Sequence, residues 1–514
     1  MPAAETADFV LDVNLEDEAA TGRLAGDIAG LLAPGDFVAL SGELGSGKTA
    51  FARALIRQIC EDPALEAPSP TFTLMQSYEH ARGVLLHADF YRLKSGAELA
   101  ELGFEEASDK AITLVEWPER APEALPADRL HITFFIDIAK GDNFRRALVT
   151  ARGGFAARLK RFLAVEALLA GGVFAKARRD YMQGDASSRA YERLTKPDGE
   201  TAILMISPPR ADGPPVRDGK PYSAIAKLAE NILPFIGIDN GLRAQGFSAP
   251  RIISMDLDAG LAIIEDFGSD GVARADAPIA DRYAEAVAVL ARLHRLQLPS
   301  SAPVANGAVH EIPVYDLEAM SIEADLLVDW YVPHIGKTRL TPTARTVFGS
   351  LWRYRLQVIL AAPTTWTLRD FHSPNLIWLS GRNGLSRVGL LDFQDCVLGH
   401  PAYDVASLLQ DARVTVSDEL ELRLLSHYAR LRKMHDAAFD MQAFAAAYAI
   451  MGAQRASKIL GIFARLDKRD RKPQYLAHLP RVEGYLRKNL SHPALAELKA
   501  WYEQHLPRLL SQAA

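Results

Sequence analysis

The chain has 514 residues, a formal net charge of −6 and 49% hydrophobic residues. At ~150 residues per domain this length corresponds to roughly three domains. The composition excludes global disorder, and the acidic balance excludes an overall basic field that would hold the protein on nucleic acid. The two cysteines, Cys60 and Cys396, exclude a disulfide scaffold and the four-cysteine zinc patterns, and they suit a reducing compartment. Residues 1–12 carry acids and no basic segment before an apolar run, so no secretory leader is expected. No run of ~18 apolar residues is free of charges, so no membrane span is expected and the cytoplasm is the expected location.

In chain order, residues 36–40 predict a short buried strand, and a glycine cluster follows it. Residues 49–59 have helical apolar spacing, and residues 84–88, 112–115 and 130–138 predict three further strands. Strands alternating with helices imply an α/β layer with parallel pairing. Gly42-Glu43-Leu44-Gly45-Ser46-Gly47-Lys48-Thr49 satisfies every fixed position of G-x-x-x-x-G-K-[ST], between a strand and a helix as that motif requires. The glycines let successive N–H groups turn toward one anion, and the helix N-terminus adds positive potential. Lys48 would reach the outer phosphates and Thr49 would ligate Mg²⁺. Asp89 and Glu116 both stand at strand C-termini, where α/β proteins bind ligands. Asp89 fits the metal and Glu116 fits the attacking water or the metal shell.

Further pieces follow in order: Ser69-Pro70-Thr71-Phe72-Thr73-Leu74, His87-Ala88-Asp89-Phe90-Tyr91-Arg92-Leu93 and Leu114-Val115-Glu116-Trp117-Pro118. With the phosphate loop, this set resembles the TsaE family, the small ATPases of bacterial tRNA threonylcarbamoyladenosine synthesis, over about residues 9–150. The resemblance implies ATP hydrolysis that resets a partner threonylcarbamoyl transferase complex, with tRNA contacted only indirectly. It assigns Lys48 to phosphate, Thr49 and Asp89 to Mg²⁺, Glu116 to catalysis and Thr71 to a nucleotide-sensing loop. For Trp117 it leaves two readings, packing beside the nucleotide and packing in the core.

A basic stretch with helical apolar spacing occupies residues 153–175 and is expected to connect two domains. Its charges read as a solvated face or as a docking patch for a partner or nucleic acid. Beyond it, residues 191–195 and 202–206 predict strands around a Lys196-Pro197-Asp198-Gly199 turn. Residues 252–255, 261–265 and 387–392 predict three more, in an otherwise helical half.

Asp370-Phe371-His372-Ser373-Pro374-Asn375 places an acid five residues before an asparagine, and Asp392-Phe393-Gln394 ends an apolar strand seventeen residues later. This is the order of kinase parts: a base, then two metal ligands. With Ile264-Glu265-Asp266-Phe267-Gly268, Asp329-Trp330-Tyr331 and Tyr403-Asp404-Val405, the half from 176 to 505 resembles the aminoglycoside-phosphotransferase-like kinases, and among them the AmgK-type kinases of N-acetylmuramate and N-acetylglucosamine. The resemblance implies anomeric phosphorylation of a small amino sugar, with Asp370 as base and Asn375 and Asp392 on Mg²⁺. It places Gly184, Ser187, Arg189 and Glu265 at the nucleotide, and Asp329, Trp330 and His372 at the substrate. Three positions depart from the pattern: Leu368 replaces the usual histidine, Met205 stands near the place of the phosphate-pairing lysine, and Ile206 replaces an acid common in the subgroup. Phosphate pairing therefore falls to Arg189 or to N–H groups of the 184–189 loop. Asp395 and Asp404 are read as braces of the catalytic loop, and His294 as a packing histidine.

The expected architecture is an α/β P-loop NTPase domain (1–152), a basic helical connector (153–175), and a two-lobed α+β protein-kinase-like domain (176–514). The expected cofactors are ATP and Mg²⁺. Another small hydroxyl substrate, such as an aminoglycoside or a choline-like compound, and a regulatory pseudokinase remain as alternatives for the second half.

Overall fold

The computed structural model of the chain describes residues 9–81, 83–93, 95–182, 189–209 and 213–511. It divides into two compact units, Met1–Gly171 and Gly172–Ala514.

The first unit is built on a seven-stranded sheet in the spatial order Phe9–Leu15, Arg145–Ala151, Leu130–Ile136, Phe37–Gly42, Ile112–Glu116, Gly83–Asp89, Met75–His80. Its four central strands are parallel and its outer pairings antiparallel. The central strand Phe37–Gly42 and its neighbour Ile112–Glu116 are apolar on both faces, as strands covered on both sides must be. Helix Lys48–Ile59 lays Phe51, Leu55, Ile56 and Ile59 into the core, and helix Glu18–Leu31 packs beside it. The Asp17 carboxylate caps the latter by accepting from the Ala20 N–H at 2.6 Å. Parallel register sets Asp89 directly opposite Glu116, so both carboxylates emerge at one sheet edge.

Helix Gly154–Ala170 covers most of the expected connector, yet it belongs to the first unit. Phe155, Ala156 and Leu159 are buried in that unit's core, and Arg158 forms a two-pronged pair with Asp36 at 2.6 and 2.8 Å. An amphipathic stripe that finds a sheet to cover is a domain helix, so the boundary between units falls at Gly171.

The second unit opens with a five-stranded antiparallel sheet, ordered Ile252–Asp256, Leu261–Glu265, Thr201–Ile206, Ala190–Thr195, Arg178–Met182. Helix Leu233–Ala244 accompanies it. A helical lobe follows, centred on Met441–Asp470, which is buried along most of its 30 residues. Phe235 of the first helix stacks on Phe393, with ring centroids 5.1 Å apart and planes at 12°. Such a pair adds ~0.5–1.5 kcal/mol beyond burial and ties that helix to the segment after Asp392. Among the described residues no helix is long and apolar enough to cross a membrane.

Candidate functional sites

In the first unit a cavity of about 350 Å³ is lined by the loop from Leu44 to Thr49 together with Ser69, Thr71, Asp89, Tyr91, Glu116 and Trp117. Gly42, Gly45 and Gly47 all have positive φ, at 136°, 77° and 109°. A β-carbon on Gly42 would stand 2.5 Å from the Phe134 carbonyl oxygen, so only glycine closes the strand onto the loop there. Lys48 Nζ donates to the carbonyls of Gly42 (2.7 Å) and Glu43 (2.9 Å) and lies 3.7 Å from the Trp117 ring centroid. Burial pulls its pKa down, while Glu116, Glu119 and Asp89 pull it up. Thr49 Oγ1 donates to Glu116 at 2.8 Å, and the other Glu116 oxygen meets His87 Nε2 at 3.1 Å. Asp89 accepts from Ser69 Oγ (2.6 Å), Thr71 Oγ1 (2.8 Å) and the Tyr91 N–H (2.9 Å). Thr71 is therefore wired to Asp89, and Trp117 faces the cavity rather than the core alone.

The residues fit a nucleotide. Ser46 Oγ is buried without a hydrogen-bond partner inside the loop, a polar atom left for an anion. Thr49, Asp89 and Glu116 offer oxygen donors only, the chemistry Mg²⁺ takes beside phosphates.

In the second unit the catalytic-loop residues converge. Strand Thr365–Thr367 leads into Leu368, and Asp404 accepts from the N–H groups of Leu368 (2.7 Å) and Arg369 (2.8 Å). Asp404 is thus a brace, and Asp395 likewise accepts from the Ala229 N–H at 2.7 Å. Arg369 has φ 66°, which turns the chain into Asp370. Asn375 Nδ2 donates to the Asp370 carbonyl at 2.9 Å, and the Asn375 carbonyl accepts from the Leu391 N–H at 2.9 Å. That bond hangs Asp392 beside the loop. Arg189 forms an ion pair with Asp392 at 3.2 Å and feels Asp370 as well. Burial works against the Asp370 carboxylate, but the permanent cations Lys458, Arg455 and Arg369 outweigh it and lower its pKa. Burial and the neighbouring Asp370 and Asp395 push Asp392 up against the pull of Arg189. Asn375 and Asp392 provide oxygen donors, the chemistry a divalent ion takes beside phosphates.

Other expected residues fall elsewhere. Gly184 and Ser187 lie outside the described residues. The Glu265 carboxylate is committed to Arg382 (2.5 Å) and the Arg251 N–H (3.1 Å), and the Glu265 N–H donates to the Arg251 carbonyl at 2.9 Å. Asp329 and Trp330 line a separate cavity of about 410 Å³, where Asp329 pairs with Arg345. His372 is not among that cavity's lining residues; burial drives its pKa down to about 4, so it is neutral at physiological pH. Met205 is fully buried in the sheet core, where no phosphate reaches. His294 is buried against Tyr428 at 2.9 Å.

No motif signals the groups behind Asp370. Glu323 is buried and pairs with Arg369 and with Lys458 Nζ (2.8 Å), and Arg455 donates to the Arg369 carbonyl at 3.1 Å. Asp411 accepts from Ser373 through both its N–H (2.8 Å) and its hydroxyl (2.5 Å).

Fold and sites together define an ATP-using enzyme that combines a P-loop ATPase with a kinase-fold phosphotransferase. Residues 15–145 match the family described as Threonylcarbamoyl adenosine biosynthesis protein TsaE, and residues 182–439 match the Phosphotransferase enzyme family. An N-acetylmuramate/N-acetylglucosamine kinase of Caulobacter vibrioides is 38% identical over 360 residues, covering 68% of this chain and 97% of that protein. A tRNA threonylcarbamoyladenosine biosynthesis protein TsaE of Rickettsia bellii is 40% identical over 118 residues, covering 23% of this chain and 81% of that protein. The Rickettsia felis protein of the same name is 45% identical, and the match spans 61% of its length. The chain belongs to the TsaE family through its first unit and to the Phosphotransferase enzyme family through its second.

Proposed function

We propose that the second unit phosphorylates the anomeric hydroxyl of N-acetylmuramate or N-acetylglucosamine, and that the first unit hydrolyses ATP in support of a threonylcarbamoyl transferase complex acting on tRNA. The location consistent with both is the cytoplasm. The observation that carries the kinase reading is the convergence of Asp370, Asn375, Asp392 and Arg189 on one loop system. Asp370 accepts the proton of the sugar hydroxyl as the new oxygen–phosphorus bond forms and the bond to the ADP oxygen breaks. Asn375 and Asp392 hold Mg²⁺, which neutralises phosphoryl charge when bound. Asp404, Ser407 and Arg455 fix the Arg369 backbone and so the aim of Asp370.

In the first unit, loop N–H groups and Lys48 bind the outer phosphates, and Thr49 and Asp89 hold Mg²⁺. Glu116, oriented by Thr49 and His87, positions the attacking water. Trp117 and Tyr91, with rings 5.0 Å apart, close the cavity wall. Partner proteins hold the tRNA, which suits the acidic chain.

The test is ATP turnover with a sugar panel, on wild type, Lys48→Ala and Asp370→Ala, with and without the transferase complex. Asp370→Ala is expected to lower sugar phosphorylation by roughly 10²–10⁴-fold while Lys48→Ala spares it. Sugar phosphorylation that persists in Asp370→Ala removes the assigned base. Lys48→Ala is expected to abolish the turnover that responds to the partner complex.

A further inference from the structure

The cavity of about 410 Å³ in the second unit contains a cation that pairs with no carboxylate among the described residues. Its arginines are Arg217, Arg465 and Arg469. Arg217 pairs with Asp325 at 2.7 Å, and Arg469 pairs with Asp470 at 2.7 Å. Among the described residues no carboxylate lies within ion-pair distance of Arg465, and its Nε is buried without a hydrogen-bond partner. Its guanidinium lies 5.2 Å from the Tyr222 ring centroid. A half-buried guanidinium that no described carboxylate pairs with is costly unless something anionic completes it. Burial accordingly pulls its pKa down, with Tyr222 and Asp470 only partly opposing.

The rest of the cavity suits a sugar. Trp330 and Tyr222 supply aromatic faces for C–H surfaces, and Glu230 Oε1 is a buried acceptor without a partner, available to a hydroxyl or an acetamido N–H. Asp329 is already paired with Arg345, so it does not answer the Arg465 charge.

Arg465 shares a helix with Lys458. It lies seven residues beyond Lys458 on helix Met441–Asp470, two turns along the same face and ~10 Å up the axis. The Arg465 guanidinium has Tyr222, Arg469 and Asp470 as its charged or titratable neighbours. Lys458 is one of the cations holding Asp370 ionised, and the Tyr222 hydroxyl feels both Lys458 and Arg465.

We propose that Arg465 binds the carboxylate of the lactyl ether of N-acetylmuramate, and is the residue that discriminates this acidic sugar from neutral N-acetylglucosamine. The inference rests on the amino-sugar kinase reading. It adds a subsite for an anion.

The experiment compares kcat and KM for the two sugars in full-length wild type, Arg465→Gln and Arg465→Lys, with calorimetric binding of N-acetylmuramate in the absence of nucleotide. A charge-assisted bond of ~1.5–3 kcal/mol corresponds to roughly ten- to hundredfold. The ratio of kcat/KM for N-acetylmuramate to that for N-acetylglucosamine is therefore expected to fall by that factor in Arg465→Gln. The loss lies in KM and is matched by weaker binding, and Arg465→Lys recovers part of it. An unchanged ratio, or an equal loss on both sugars, overturns the assignment of Arg465. Wild type that phosphorylates neither sugar overturns the kinase reading and this proposal with it.

Discussion

Substituting Glu323 by Gln tests how the catalytic loop of the second unit is held. Glu323 is fully buried, receives Arg369, Lys458 and the Tyr315 hydroxyl, and accepts from Gln454 at 3.2 Å. Burial alone would raise its pKa, but Lys458 and Arg369 bring it from 4.5 to about 2. At ~1.4 kcal/mol per pH unit, the drop from 4.5 to about 2 makes the ionised state worth roughly 3–4 kcal/mol to the fold. An independent figure agrees: removing one partner of a buried ion pair costs ~3–5 kcal/mol, because the other charges stay buried. The sign follows from the lowered pKa. The contribution is full above pH 4.5 and is lost as pH falls toward 2. Glu323→Gln is therefore expected to lose roughly 3–4 kcal/mol at pH 7 and to show a shallower acid transition. Urea unfolding followed by tryptophan fluorescence reads this unit, since five of the six tryptophans lie in it. Arg369 also sets the direction of Asp370, so kcat for sugar phosphorylation is expected to fall more than KM changes. A variant within ~1 kcal/mol of wild type, with an unchanged acid limb, would refute the reasoning.

Two further outcomes follow from buried groups and backbone. Asp239, buried in helix Leu233–Ala244 with both carboxylate oxygens unpartnered, has its pKa raised to about 8 by burial, with Glu265 adding and Arg243 opposing. Below about pH 8 the folded chain keeps a proton that the unfolded chain releases above 3.8. Stability therefore falls as pH rises, by ~1.4 kcal/mol per unit across that window. Asp239→Asn should flatten that slope, and urea midpoints at pH 5 and pH 7.5 that drift equally in both proteins would count against it. In the first unit, Gly42→Ala drives a β-carbon into the Phe134 carbonyl at φ 136°, whereas Gly45 at φ 77° faces open space. Gly42→Ala is expected to cost ~2–3 kcal/mol and to remove nucleotide binding, and Gly45→Ala about 1 kcal/mol, by thermal unfolding and nucleotide titration.

Segments with a strong local signal were legible in the sequence. The strand–loop–helix around Lys48 was readable because the glycine pattern, the buried run before it and the helical run after it all constrain the same backbone. Strands Thr201–Ile206 and Leu261–Glu265 were readable for the same reason. Strands Phe9–Leu15 and Arg145–Ala151 were not, because they pair with each other across 130 or more residues of chain and carry only a weak alternation of polar and apolar side chains. Nor was the fate of helix Gly154–Ala170, since an amphipathic stripe does not say which surface will cover it.

The sites divide along the same line. Residue type and order were enough to single out Asp370, Asn375 and Asp392, which the structure brings together around one strand–loop–strand. Two of the cations that lower the Asp370 pKa come from a helix 85 or more residues later, and no local spacing marks Arg455 and Lys458. Charge balance is a property of neighbours in space. Arg189 and Arg465 are both half-buried arginines in a run of ordinary sequence, yet one is answered by Asp392 and the other by no carboxylate among the described residues. That difference separates a cation already engaged at the phosphoryl-transfer site from one left available to a ligand, and only the packed chain expresses it.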